Sequence, residues 1–205
     1  MDNHDIKKII NNFDKRNIDV NYFEDLDKMK YEIFNIIPSN CSIGIGNSKT
    51  LKEMKISEEL SNRGNKVLDK TLVENKKESK NIKKKSLLTN WYITGTNAVS
   101  SEGHIVNIDH SGNRVAAMLY GPEKVIIIVG INKITDTLDK AIYRAKNIAA
   151  PLNAKRAGFK PPCVELNKCI DCNSSERVCN SLVVIEGQTR RDRIRLFIVN
   201  EELGF

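Results

Sequence analysis

Four of the chain's five cysteines, Cys163, Cys169, Cys172 and Cys179, fall within 17 of its 205 residues. Thiolates grouped in fours, with one C-x2-C pair, suit Zn²⁺ or an iron–sulfur cluster. The pair can wrap one metal while the outer cysteines return from flanking loops. His4, His104 and His110 are all remote in sequence. Structural zinc sites more often use two C-x2-C knuckles, so the single knuckle favours a [4Fe–4S] cluster, with zinc as the alternative. Chance clustering or two disulfides is the reading without a metal. Cys41, inside an apolar stretch, reads as a buried small residue.

Two further segments carry candidate chemistry. In Gly44-Ile45-Gly46-Asn47-Ser48-Lys49-Thr50, glycines let the backbone approach a ligand and free N–H groups at a helix start attract anions. Ser48 and Thr50 add hydroxyl donors. The spacing is neither a P-loop nor the dinucleotide fingerprint, and a tight turn capped by Ser48 explains it equally well. In Thr94-Gly95-Thr96-Asn97-Ala98-Val99-Ser100-Ser101-Glu102-Gly103, small hydroxyl residues and glycines surround a lone carboxylate near a strand end, where α/β sheets place ligands. Glu102 is the candidate nucleophile or general base; a hairpin turn with an exposed glutamate is the structural alternative. Lys155, Arg156 and Lys160 precede the cysteines, and Arg190, Arg191, Arg193 and Arg195 follow them; these suit carboxylate or phosphate recognition or a solvated edge.

These residues need a scaffold, and the composition bounds it. Hydrophobic residues make up 40% and charged residues 29%, which excludes global disorder. The longest apolar run, 125–131, falls far short of the ~20 residues of a membrane span. The N-terminus lacks a signal-peptide pattern, so the expected location is the cytoplasm, where structural disulfides are rare. The net charge of +7 owes much to six lysines between Lys76 and Lys85. No aromatic residue interleaves them, which argues against nucleic acid and for a solvated helix face.

Hydrophobic periodicity predicts two helices over 4–37, broken near 17–19 and ended by Pro38. A buried strand at 41–46 leads into a helix over 51–60, followed by a strand at 66–68 and a lysine-rich helix over 71–88. Residues 90–99 read as a strand forming a hairpin with 104–109. Residues 124–129 read as a central strand buried on both faces. A helix over 138–150 stops at Pro151, and 183–186 with 194–200 form a closing pair of strands. Strands alternating with helices predict an α/β sheet with helices on both faces. The expected organisation is one domain: N-terminal helices 1–37, α/β core 38–160, cysteine-rich metal segment 161–180, and closing strands 181–205.

With these motifs in place, the chain resembles the LUD-domain (lactate utilisation) family. The match runs through Ile43–Leu51, Thr94–Gly103, Asn113–Leu119 and Pro122–Val129, and then through the 148–156 segment and the cysteines of a bacterial subgroup. The resemblance implies a Rossmann-like sheet with extra strands, as in the sugar-phosphate isomerase and CoA-transferase superfamily. It implies that Gly44, Gly46, Ser48 and Thr50, with Thr94, Gly95, Asn97 and Gly103, bind a small anionic or phosphorylated ligand, and that Glu102 carries catalysis. Asn97 stands where relatives usually have an acid. The family also implies a part in oxidising lactate to pyruvate beside other lactate-utilisation subunits, with self-association as a further option. The alternatives are a transferase or isomerase using Glu102 with structural zinc, and a ligand-binding scaffold without catalysis.

Overall fold

The computed structural model describes residues 3–205. Helix α1 (Asn3–Asp14) leads to strand β1 (Asp19–Phe23), α2 (Leu26–Ile36) and β2 (Ser42–Ile45). Then come α3 (Lys49–Glu53), α4 (Ile56–Asn62), β3 (Lys66–Asp69), α5 (Lys76–Lys85) and β4 (Trp91–Gly95). The hairpin β5 (Ala98–Ser100) and β6 (Ile105–Asp109) precedes α6 (Asn113–Leu119), β7 (Lys124–Gly130) and β8 (Ile134–Thr135). Last are α7 (Leu138–Arg144), α8 (Ala150–Arg156), the short α9 (Cys163–Leu166), β9 (Ser181–Ile185) and β10 (Ile194–Val199).

The described residues form two sheets. Six parallel strands run in the order β1-β10-β7-β4-β2-β3, and four more in the order β8-β5-β6-β9. The central strand β7 is a continuous apolar run because helices cover both of its faces. Val125, Ile127 and Val129 point toward α1, α6 and the second sheet, packing with Ile9, Phe13 and Met118. Ile126 and Ile128 point the other way, onto Ile33, Leu51 and Leu60 of α2, α3 and α4. Beyond the second sheet, Ala141, Ala145 and Ala150 let the α7–α8 helix lie close against Ala98 and Val106.

The α/β architecture with helices on both faces agrees with the sequence reading, and several boundaries differ. The break near residue 17 contains an edge strand, β1. Its residues are all half-buried, so no alternation betrayed it, and Tyr22 and Phe23 happened to continue the helical spacing. The helix expected over 51–60 splits at Lys55, which adopts φ +51°. The lysine-rich helix starts only at Lys76, where the Asn75 side chain accepts from Lys77 N and Glu78 N. Residues 90–99 divide at Thr96-Asn97 and contribute β4 to one sheet and β5 to the other, while the hairpin with β6 forms as expected. Pro151 does not end the preceding helix. It sits in the first turn of α8, after a π-helical turn over Ala145–Ala149, where its missing N–H costs little. The two last strands do not pair with each other: β9 joins β6, and β10 inserts between β1 and β7.

The topology also leaves an opening at the edge of the sheet. From β2 the chain moves outward to β3, then crosses to β4 on the other side of β2. Between β2 and β4 the connections leave toward opposite faces, which opens a crevice at the carboxyl ends of the parallel strands.

Candidate functional site

A cavity of about 230 Å³ occupies that crevice. At roughly 30 Å³ per liquid water it has room for a ligand of several heavy atoms. Asn47, Ser48, Lys49 and Thr50 after β2 form one wall, and Gly95, Thr96 and Asn97 after β4 the next. Lys133, following β7, and Gly204-Phe205, following β10, complete the sheet side, and the α8 end supplies Arg156. Its lining carries six basic side chains, Lys49, Lys70, Lys83, Arg114, Lys133 and Arg156, against one acidic side chain, Asp109.

The frame is polar, with half-buried Arg114 at its centre and buried Asn107 and Arg144 beside it. Arg114 Nη1 donates to Gly95 O and Asn107 Oδ1 (both 2.9 Å), and its Nη2 donates to Asn97 Oδ1 (2.9 Å) and Ile108 O (2.8 Å). Its Nε lies 3.5 Å from Asp109 Oδ2. The guanidinium thus staples the β4–β5 crossing to β6. Asn97 serves this staple by accepting from Arg114 and from Ile108 N (2.8 Å) through its side-chain oxygen. From the other side Arg144 donates to Asn97 O (2.5 Å) and Asn132 O (3.2 Å).

The remaining polar groups are not all consumed by the fold. The Asn47 Oδ1 and Asp109 Oδ2 atoms are buried without a hydrogen-bond partner among the described residues. Lys133 is only 5% exposed. Burial first, then the nearby Arg144 and Arg114 charges, pushes its ammonium down from the usual lysine range to about 8, with Glu53 opposing. Lys70 is also held below its ordinary value, by burial and then by Lys83. Cations crowded together and partly dehydrated favour occupation by an anion.

The expected site residues divide between cavity and scaffold. Ser48, Thr50, Gly95 and Asn97 line the cavity. Gly44 and Gly46 instead face neighbouring strands. A Cβ on Gly44 would meet Tyr92 Cδ2 at 2.7 Å, and one on Gly46 would meet Thr94 Oγ1 at 2.3 Å. Thr94 is buried behind the site and donates to Gly95 O (3.2 Å). Gly103, at φ +95°, allows the hairpin turn to touch α1, where a Cβ would meet Asn12 O at 2.9 Å.

Glu102 is outside the cavity lining. Its Oε2 accepts from Leu138 N (2.9 Å) at the start of α7, and its side chain is half exposed. Ser100 Oγ and Glu102 Oε2 approach the same His104 nitrogen, Nδ1, at 2.8 and 3.9 Å, and Ser100 is fully buried, so the three do not form a relay triad.

The four clustered cysteines line a second, much smaller cavity of about 10 Å³, with Ala150, Ile170 and Val178. All are free thiols, which removes the two-disulfide reading. Burial and the neighbouring Cys172, Cys179 and Cys169 raise the Cys163 thiol above its usual range. Asp171 N donates to Cys169 Sγ (3.4 Å), and Arg177 braces Cys172 O and Cys179 O (2.8 and 3.2 Å). The donor set fits a thiophilic metal. Yet among the described residues no three histidine, cysteine or acidic side chains are placed to grip an ion as they stand, and the space admits about one water-sized body.

Sequence reasoning did not single out Lys133, Arg114 or Asp109. For Lys133 a signal existed: a lysine three residues beyond the end of the most apolar strand is an unusual place to bury a charge.

A family model described as the LUD domain matches residues 6–199. Among solved structures, a DUF162 family protein from Deinococcus radiodurans superposes with a TM-score of 0.54 at 13% identity, covering 96% of each chain. At that identity the likeness concerns the fold alone. No curated protein matches the chain.

Proposed function

Because the chain belongs to the LUD-domain family, we propose that it binds a small, multiply charged anion in the switch-point cavity as a component of lactate or other organic-acid oxidation. The ligand class is a phosphorylated or carboxylate metabolite. The observation that supports this reading is the cavity's charge: six basic side chains against one acidic side chain, with Lys133 buried and without an ion-pair partner among the described residues. Thr50 and Ser48 add hydroxyl donors at the rim, and Arg114 holds the β4–β5 crossing that shapes the floor.

Oxidising a 2-hydroxy acid to a 2-oxo acid releases two electrons and two protons, so a partner subunit must accept them. We further assign Cys163, Cys169, Cys172 and Cys179 to a metal centre, an iron–sulfur cluster or zinc. In either form the thiolates would tie the 161–180 segment, which holds little regular structure, to the wall of the anion cavity through Val178. A cluster would supply electron transfer, whereas zinc would supply only structure.

Two measurements test the reading. Titration calorimetry with phosphate, pyrophosphate, lactate and pyruvate is expected to show binding that weakens with salt and with Lys133→Met. No heat and no thermal stabilisation from any of them overturns the anion site. Metal and sulfide analysis on protein prepared without oxygen is expected to give about four iron and four sulfide, or about one zinc. Protein that stays metal-free after reconstitution with either overturns the metal assignment.

A further inference from the structure

We propose that Lys133 is an amine nucleophile that captures the carbonyl carbon of an anionic aldehyde or 2-oxo acid as an imine. The inference rests on the anion reading of the cavity and narrows its ligand to carbonyl compounds.

Lysines buried for structure spend their donors on carbonyls or carboxylates. Arg144, packed nearby, does so with Asn132 O and Asn97 O. Lys133 does not: among the described residues its Nζ makes no hydrogen bond and no ion pair, although the residue is 5% exposed. Lys49, at the same rim, pairs with Glu53 at 3.6 Å.

The amine and a hydroxyl border the cavity side by side. Thr50, Lys133 and Gly204 all line it. A Cβ placed on Gly204 would lie 3.4 Å from Lys133 Nζ and 3.1 Å from Thr50 Oγ1, so both polar atoms sit against the bare glycine backbone at the cavity wall. Thr50 is buried and its hydroxyl has no partner among the described residues. Lys49, Lys70 and Arg156 line the same cavity and would hold the ligand's anionic group.

The chemistry balances without a redox partner. The neutral amine attacks the carbonyl carbon, forming C–N, and the carbonyl oxygen takes a proton to give a carbinolamine. Loss of that hydroxyl as water forms C=N, and the nitrogen's protons leave with the water. The Thr50 hydroxyl is placed to hydrogen-bond the oxygen as it changes from carbonyl to hydroxyl. Attack requires the unprotonated amine. Burial and the Arg144 and Arg114 charges favour that form, and Glu53 opposes them.

The test uses the intact wild-type protein with glyoxylate and cyanoborohydride at pH 8, followed by peptide mass mapping. The expected result is one N-carboxymethyl adduct on Lys133, formed at least about tenfold faster than on an exposed lysine such as Lys84, and suppressed by saturating pyrophosphate. Labelling spread over exposed lysines, with Lys133 unmodified, overturns the inference; the anion site then stands if pyrophosphate still binds by calorimetry. Labelling of Lys133 that pyrophosphate does not suppress, with no pyrophosphate heat, retains the nucleophile and overturns the anion reading. Lys133→Met, checked by thermal denaturation for a native fold, is expected to lose the adduct.

Discussion

The cationic cavity and the cysteine cavity share Val178 as a common wall, yet they are built in opposite ways. The first is open, about 230 Å³, and held apart by a polar frame in which half-buried Arg114 and buried Arg144 fix the strand crossings from two sides. Its basic side chains outnumber its acidic one, the imbalance on which the proposed anion binding rests. The second is closed to about 10 Å³ and is walled by loops around the four-residue α9, with Asn167 and Asp171 at positive φ. Its four thiols share one cavity without being placed to grip an ion as they stand, and the segment carries little regular structure. A preformed site loses little when empty, whereas a site made of loops draws its order from what binds it. The two regions therefore respond differently to substitution.

The largest effect is expected where the open cavity's frame is removed. Arg114→Met leaves Asn97, Asn107 and the carbonyls of Gly95 and Ile108 without their donor in a buried setting and frees Asp109 of its partner. Breaking such a network costs about 3–5 kcal/mol. Urea denaturation is expected to show that loss, and calorimetry the loss of anion binding with it. A stable variant that still binds would mean the cavity holds its shape without the frame.

Next in size is Lys133→Met, and here the two properties move apart. In the folded chain Lys133 titrates near 8 rather than 10.5, so the unfolded chain binds this proton more tightly. Below about pH 8 the buried ammonium opposes folding in full, and the penalty fades as pH rises from 8 toward 10.5. Removing it is expected to stabilise the protein at pH 7 by about 1–3 kcal/mol while lowering anion affinity at least about tenfold. The variant-minus-wild-type difference in stability should shrink over pH 8 to 10.5. A destabilised variant would mark Lys133 as part of the fold instead of the site.

Lys70→Ala is expected to do less. Lys70 lines the same cavity but is only half-buried. A loss of about threefold in affinity, shrinking as salt rises, fits a partly screened charge.

The contrast between the two cavities also governs what could be read from sequence. That the four cysteines come together in one cavity was legible because they lie within 17 residues. The α/β class was legible because β7 is apolar throughout and Pro122 and Gly130 bound it. The cationic cavity was legible only in part. Ser48, Thr50, Gly95 and Asn97 sit in recognisable loops, but Lys133, Arg114 and Asp109 reach the site from β7, α6 and β6 by way of the strand order. Order within a sheet is a tertiary property that no local period encodes. Gly44 and Gly46 show the converse: glycine marks close approach, and here the approach is strand to side chain.

Glu102→Gln gives the smallest expected effect and sharpens the boundary of the site. The carboxylate accepts from Leu138 N at the start of α7, adds a negative charge at that helix's N-terminus, and lies outside the cavity lining. Glutamine keeps an acceptor and loses the charge, so the cost is the helix-dipole and charge-assisted part alone, about 0.3–1 kcal/mol at a half-exposed position. Thermal denaturation is expected to shift by a few degrees at most, and phosphate and pyrophosphate titrations to superpose on wild type. A large drop in anion affinity, or in turnover once a substrate is in hand, would require the turn at 101–103 to swing its carboxylate off α7 and into the cavity when ligand binds. Gly103 is packed against Asn12 and Arg16 of the first helix and its end, and the Arg16 side chain donates to Glu102 O (3.2 Å). Those contacts would have to break for that movement, which is why the capping role predicts a nearly silent substitution.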